Sequence, residues 1–403
     1  MKKNLQIKNI IHKDYLKKNI SKKLSEDFEK FIEEITDNVD LTREAYNVLS
    51  NHFKFNFNLS ELKKFKKFKS IAIIGMGGSI LGSEAIYNCF KKKIKKKVYF
   101  FDDINSEKIL SFKKKNTSKT LFLIISKSGN TAETLSNFLA LNIIKKKIRN
   151  IILISEKNNN ILFSLAKKFD LFFIEHKKHI GGRFSVLSEV GIVPAYLMGV
   201  NIVKIRKNLK KYLFAKEKKL LKNNTIELTN LLLQRKFTSL IFLNYIPQLE
   251  KFLYWSQQLI AESLGKNGKG FLPIISNAPK DHHSLLQLYL DGPKDKIFYI
   301  FSLTEANKIK IKTKKITNKI NYLHNKNLDK IKIAQKDALI KSLVIKKIPY
   351  REFEINHLNE EILGELFSYY ILETILIGKL SGINPYDQPA VEQVKQDTKK
   401  ILN

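Results

Sequence analysis

Ser70-Ile71-Ala72-Ile73-Ile74-Gly75-Met76-Gly77-Gly78-Ser79-Ile80-Leu81-Gly82 is the stretch on which the fold turns. Its first half is a short continuous apolar run that stops at a glycine, the pattern of a strand buried on both faces. Similar runs recur at 98–101, 121–125, 151–154 and 171–174, with helical stretches such as 83–90 and 131–144 between them. This alternation predicts a parallel sheet wrapped by helices and ending near Val203. The pattern then restarts, with strands expected at 239–243, 270–275, 297–303 and 342–348 and helices at 247–264 and 282–290.

The flanking segments read differently. Residues 1–65 carry Leu24, Phe28, Phe31, Ile32 and Ile35 at helical spacing and no strand-like run, which predicts a helical N-terminal segment. The expected order is this segment, a first α/β domain over 66–205, connecting helices over 206–236, a second α/β domain over 237–382 and a C-terminal helix over 383–403. A long apolar helix at 359–380 closes the second unit, and Asn384-Pro385-Tyr386-Asp387 turns the chain into the last helix.

Composition narrows the class. A chain of 403 residues, 43% hydrophobic, can bury the cores of two or three domains. The single cysteine, Cys89, cannot form an intramolecular disulfide, so a reducing cytosol fits. Met1-Lys2-Lys3-Asn4 has no apolar run behind it, so no secretion signal is expected. The apolar stretches 186–203 and 362–380 are broken by Glu189 and Pro194, and by Glu365, Glu373 and Lys379, and read as buried helices rather than membrane spans.

The formal charge of +35, from 73 Lys and Arg against 38 Asp and Glu, invites a nucleic-acid reading. The lysines, however, fall in short runs at 91–97, 113–115, 145–147 and 308–319, with no aromatic RNA-reading motif among them. They read as solvated faces and a usage bias, not a dedicated nucleic-acid groove, although a positive field also gathers phosphorylated metabolites.

Five segments carry chemistry. Gly75 to Gly82 lies between a buried strand and a helix, where glycines let backbone approach a ligand and the helix start offers N–H groups to an anion; a plain tight turn is the alternative. A dinucleotide fingerprint would need glycine where Ile80 stands. Ser126-Lys127-Ser128-Gly129-Asn130-Thr131 packs hydroxyls, N–H groups and one lysine ahead of a helix, a dense set of phosphate donors or else an ordinary helix cap. Gly181-Gly182-Arg183 delivers a planar cation suited to a developing oxyanion, or to a surface salt bridge. Glu262, at a helix end beside Gly265, suits a general base if partly desolvated, though most helical glutamates are merely exposed. His282 and His283 do not share a helix face, so proton transfer by one of them fits better than joint metal binding.

These five segments, in this order, resemble the glucose-6-phosphate isomerase family over about residues 65–400, most specifically in Gly75-Met76-Gly77-Gly78-Ser79, Gly181-Gly182-Arg183-Phe184-Ser185 and the run from Asn384 to Lys395. The resemblance implies two sugar-isomerase (SIS) type domains, each a parallel-sheet αβα sandwich, with helical N- and C-terminal segments and the site between the domains. It implies reversible interconversion of glucose 6-phosphate and fructose 6-phosphate in glycolysis and gluconeogenesis, by proton transfer through an enediolate, with no cofactor and no metal. By the same resemblance Gly78, Ser79, Ser126, Lys127, Ser128 and Thr131 hold the phosphate, Glu262 shuttles the proton between C2 and C1, and Arg183 stabilises the enediolate. His283 would assist ring opening and Lys395 would bond the ring oxygen, in a cytoplasmic homodimer whose His283 is donated across the interface. Position 282 is His where the family usually has Gln, and the phosphate loop reads Ser-Gly-Asn-Thr.

Three other readings stand beside this one. A dual-specificity phosphoglucose and phosphomannose isomerase would share nearly every residue named. A non-catalytic sugar-phosphate-binding regulator would have no need of Glu262, His283 and Lys395 together. A basic nucleic-acid-binding protein would show itself by steep salt dependence.

Overall fold

A computed structural model describes residues 4–41, 43–115, 117–144, 149–304, 309–313 and 317–402. The lysine run 145–147 and part of the run 308–319 lie outside the described residues. Ten strands are described: β1 (Leu5–Ile10), β2 (Ser70–Ile74), β3 (Lys97–Phe101), β4 (Thr120–Ile125), β5 (Ile151–Ser155), β6 (Phe172–Glu175), β7 (Ser239–Asn244), β8 (Leu272–Asn277), β9 (Lys296–Leu303) and β10 (Tyr350–Ile355).

They form two five-stranded sheets, one in the order β3-β2-β4-β5-β6 and the other β1-β10-β9-β7-β8. The first is wholly parallel. Every residue of β4 and β5 is buried, which is why these strands read as unbroken apolar runs: a parallel sheet is covered on both faces. In the second sheet β7, β8, β9 and β10 are parallel, and only β1 runs antiparallel, against β10.

Each unit lays its second strand on one side of its first and its third strand on the other. The chain therefore reverses direction across the sheet between β2 and β4, and again between β7 and β9. Loops leaving the carboxyl ends of strands at such a point are where open α/β sheets bind ligands. The loops containing Gly77 and Ser126 leave β2 and β4 there. The helix Glu250–Leu264 packs along Leu81–Phe90 and joins the two units over one continuous apolar core. Among the described residues no helix is long and apolar enough to cross a membrane.

Two sequence expectations need correction. The N-terminal segment is not purely helical: Lys18–Asn38 is a helix burying Leu24, Phe28, Ile32 and Ile35, but Leu5–Ile10 is a strand that edges the second sheet. The strand expected at 342–348 is instead the end of a helix, Leu328–Ile345, and the strand that follows is Tyr350–Ile355. That strand, Tyr-Arg-Glu-Phe-Glu-Ile, reads as polar, yet Arg351 is wholly buried. Its guanidinium is satisfied from all sides: Nη1 donates to Glu373 and to the Tyr369 hydroxyl (3.0 Å), Nη2 to the Asn224 carbonyl (3.0 Å), and Nε to Asn9 Oδ1 (3.1 Å). A buried charge persists when paired and fully hydrogen-bonded, and here the partners come from β1 and two helices far apart in sequence.

Candidate active site

The site begins with two glycine segments pressed backbone to backbone. A Cβ on Gly78 would stand 2.2 Å from the Gly182 carbonyl carbon and 2.6 Å from the Arg183 nitrogen. Gly77 has φ +51°, and a Cβ there would stand 2.7 Å from Gln258 Nε2. Glycine thus serves here for close approach of chain to chain as well as for any ligand. The contact fixes the short 3₁₀ segment Gly182–Leu187, which Ser185 Oγ tightens by donating to the Gly182 carbonyl (2.6 Å) and Trp255 Nε1 anchors by donating to the Arg183 carbonyl (3.1 Å).

On that pinned backbone the Arg183 side chain is buried and every N–H of its guanidinium finds an acceptor. Nε donates to Ser263 Oγ (2.8 Å), Nη1 to Glu262 Oε2 (3.3 Å) and Gln388 Oε1 (2.9 Å), and Nη2 to the carbonyls of Pro385 (2.7 Å) and Asp387 (3.0 Å). Arginine has five such hydrogens, and five acceptors use them. Burial pushes the guanidinium pKa down, and the neighbouring Glu262 opposes that. Glu262 sits in the last turn of Glu250–Leu264 with 29% of its side chain exposed. Its other oxygen accepts from Gln258 Nε2 (2.9 Å), one turn earlier on the same face. A carboxylate held by two donors yet open to solvent on one side can take a proton from a bound carbon acid. A cation beside such a base is suited to the negative charge that proton transfer creates.

The loop after β4 supplies the second half. Ser126 Oγ and Thr131 Oγ1 are 2.8 Å apart, and the Asn130 N–H donates to Ser128 Oγ (3.3 Å). Gly129, at φ +66°, has no room for a side chain, since a Cβ would lie 1.9 Å from Asn160 Oδ1. The hydroxyls gather at the start of the helix Ala132–Ala140, where unpaired N–H groups suit an anion. Lys127 differs from its neighbours: its ammonium donates to the Lys178 carbonyl (2.8 Å) and lies 3.7 Å from Glu156. Burial pushes its pKa down, Glu156 opposes this, and the charge of Arg183 adds to the lowering. Lys127 therefore ties the hydroxyl loop to the segment that leads into Arg183.

Nearby, burial pushes His176 down to about 4, and the ring keeps one bond from Nδ1 to the Lys177 carbonyl (3.0 Å).

Two sequence candidates stand elsewhere. His283 is exposed on a single turn, Lys280–His283, beyond the end of β8. Asn277, at that end of β8, reaches Glu250 (2.8 Å), the first residue of the helix whose last turn carries Glu262. Twelve residues of α-helix span about 18 Å. Lys395 is exposed on Pro389–Leu402, a helix with no buried residue, and pairs with Glu392 (2.7 Å). Conversely, Gln258, Ser263 and Gln388 belong to the constellation and were not singled out from sequence. The spacing of Gln258 and Glu262, four apart on one helix, was the available signal for the first.

A family model described as phosphoglucose isomerase matches residues 33–271. The chain is 36% identical over 374 residues to the probable glucose-6-phosphate isomerase of Methanococcus maripaludis, spanning 88% of this chain and 83% of that one. It is 35% identical over 356 residues to the glucose-6-phosphate isomerase of Methanocaldococcus jannaschii, spanning 85% and 86%. Among solved structures, a hypothetical protein from Thermus thermophilus matches with a TM-score of 0.81 at 23% identity, covering 98% of this chain and all of that one. A glucose-6-phosphate isomerase from Chlamydia trachomatis matches at 0.77 and 16% identity, covering 99% and 88%. At these identities the two structures show a shared fold.

Proposed function

Because the chain belongs to the phosphoglucose isomerase family, we propose that its chemistry runs between the exit loops of β2 and β4 and the last turn of Glu250–Leu264. The reaction is the reversible conversion of glucose 6-phosphate to fructose 6-phosphate, an aldose–ketose isomerisation. The observation that carries the assignment of roles is the 3.3 Å approach of Arg183 Nη1 to Glu262 Oε2, a base and a fixed cation side by side.

The substrate phosphate is held by the hydroxyls of Ser79, Ser126, Ser128 and Thr131, by N–H groups that include Gly78, and by the start of Ala132–Ala140. Lys127 adds charge while bracing the loop. Glu262 takes the proton from C2 and returns it to C1. Arg183 stabilises the enediolate formed between the two transfers, which places a delocalised cation where negative charge develops. Protein acceptors engage all five guanidinium N–H groups, so the enediolate oxygen must take one over. Gln388, a neutral side chain on a surface turn, is the partner that yields.

His283 assists ring opening and Lys395 bonds the ring oxygen. The placement of His283 at the far end of the helix that carries Glu262 supports a homodimer, with His283 reaching the neighbouring subunit's site. The setting is the cytoplasm, and the chemistry uses no cofactor.

The test incubates purified protein with fructose 6-phosphate and a chelator, detects glucose 6-phosphate through a coupled dehydrogenase, and runs Glu262→Gln in parallel. Chelator-resistant turnover that disappears in the variant is the expected result. A folded protein without turnover overturns the reading.

A further inference from the structure

We propose that Tyr245 and His282 form a positioning pair that aims His283 away from its own subunit; this rests on the role given to His283 above.

The exits of β7 and β8 lie side by side, with Asn244 opposite Asn277 and their side chains bonded at 3.1 Å. Tyr245, the next residue after β7, is buried, and its hydroxyl stands 2.8 Å from His282 Nε2 with the two rings edge to face at 5.7 Å. The preceding residue, Asp281, is tied to β8: its Oδ2 accepts from the Asn277 N–H (2.8 Å) and from Ser276 Oγ (3.1 Å). Both residues belong to the 3₁₀ turn Lys280–His283. A 3₁₀ turn has three residues per revolution, so successive side chains point about 120° apart. With residue 281 committed to β8 and residue 282 to the residue after β7, the remaining direction faces solvent, and His283 is exposed there.

The two adjacent imidazoles thereby take different duties. Burial first, and then the neighbouring His283, hold the His282 pKa below the usual histidine range, with Asp281 opposing. Burial raises that of the Tyr245 phenol, and Asp337 adds to the rise. Lys332 also approaches the pair, its ammonium 3.5 Å from the Tyr245 carbonyl and 3.4 Å from Asp329. In the arrangement we propose, the His282 ring carries its proton on Nδ1, so that the phenol O–H donates to Nε2 and His282 serves as an acceptor, not as a proton carrier. A glutamine at 282 could accept the same hydrogen through its Oε1.

The experiment measures kcat and KM for fructose 6-phosphate in Tyr245→Phe, His282→Ala, His282→Gln and His283→Ala. It also measures the inhibition constant of arabinonate 5-phosphate, an open-chain acid that needs no ring opening. The expected result is a three- to tenfold loss of kcat/KM in Tyr245→Phe and His282→Ala, about what one lost hydrogen bond gives. The inhibition constant should stay within about twofold, and His282→Gln should recover turnover relative to His282→Ala. Wild-type kcat/KM in Tyr245→Phe and His282→Ala overturns the pair alone. So does an inhibition constant that worsens in step with turnover, which would mark a merely structural role. Full turnover in His283→Ala overturns the role of His283 and the pair together.

Discussion

Nη1 of Arg183 lies 3.3 Å from Oε2 of Glu262, and the two residues come from different units of the chain. Arg183 follows the last strand of the first sheet, whereas Glu262 ends the helix that follows β7 in the second. Base and cation therefore meet only when the two units are docked. The same side chain gathers the turn at 385–388, so Arg183 also records whether the C-terminal segment is in place.

Replacing Glu262 by Gln should keep the bond to Arg183 Nη1 through the amide oxygen while removing the base. A positioned base contributes about 100- to 10,000-fold, so kcat should fall by that order with inhibition by arabinonate 5-phosphate retained. A coupled assay beside an inhibitor titration reads both.

Arg183→Lys preserves charge but supplies three donors on one nitrogen in place of a five-donor fork. Turnover should drop by about 100- to 1,000-fold, the order seen when one oxyanion donor is removed. The carbonyls of Pro385 and Asp387 would lose their donors, so limited proteolysis near that turn should quicken.

If His283 serves the neighbouring site, two crippled variants should repair each other. Mixing Glu262→Gln with His283→Ala subunits gives heterodimers with one intact and one doubly defective site. Random exchange makes half of the dimers mixed, so about a quarter of wild-type activity should return. No recovery after verified subunit exchange would mean that both residues act within one chain.

Gly78→Ala places a methyl group 2.2 Å from backbone that cannot yield. Overpacking of this kind costs about 1–3 kcal/mol, which should appear as a lower Tm together with lost turnover. Gly181→Ala, whose Cβ would meet only the Phe184 ring at 3.3 Å, should be far milder.

Burial holds His176 at about 4 against an ordinary 6.5. The unfolded chain thus binds the proton first, and the stability contributed by the neutral ring is complete above pH 6.5 and is lost as pH falls towards 4. The shift corresponds to about 3 kcal/mol. Urea midpoints at pH 7 and at about pH 4.5 should differ less in His176→Asn, whose amide can still donate to the Lys177 carbonyl.

The strands that sequence made legible hold continuous apolar runs, whether wholly buried like β4 and β5 or part-buried like β3 and β6. β10 escaped because its buried arginine is neutralised by Glu373, Tyr369, Asn224 and Asn9, partners scattered along the chain whose convergence no local pattern announces. β1 escaped for a related reason, since Gln6, Lys8 and Asn9 interrupt its apolar residues. At the site, Arg183 and Glu262 were legible by residue type and glycine context, and the structure brings them together. Gln258 and Gln388 were not, because an amide has no titration or nucleophilic chemistry to betray it, and its use depends on what folds against it.

The edge strand β1 has a further implication for synthesis. Leu5 pairs with Ile355, so during synthesis β1 waits for a partner about 350 residues behind it. At roughly 5–20 residues per second that delay is about 20–70 s. The five strands of the first sheet have all emerged long before it ends. Until Tyr350–Ile355 appears, Leu5–Ile10 lacks the strand that pairs its backbone in the folded protein, and a nascent-chain chaperone would act on it in that interval.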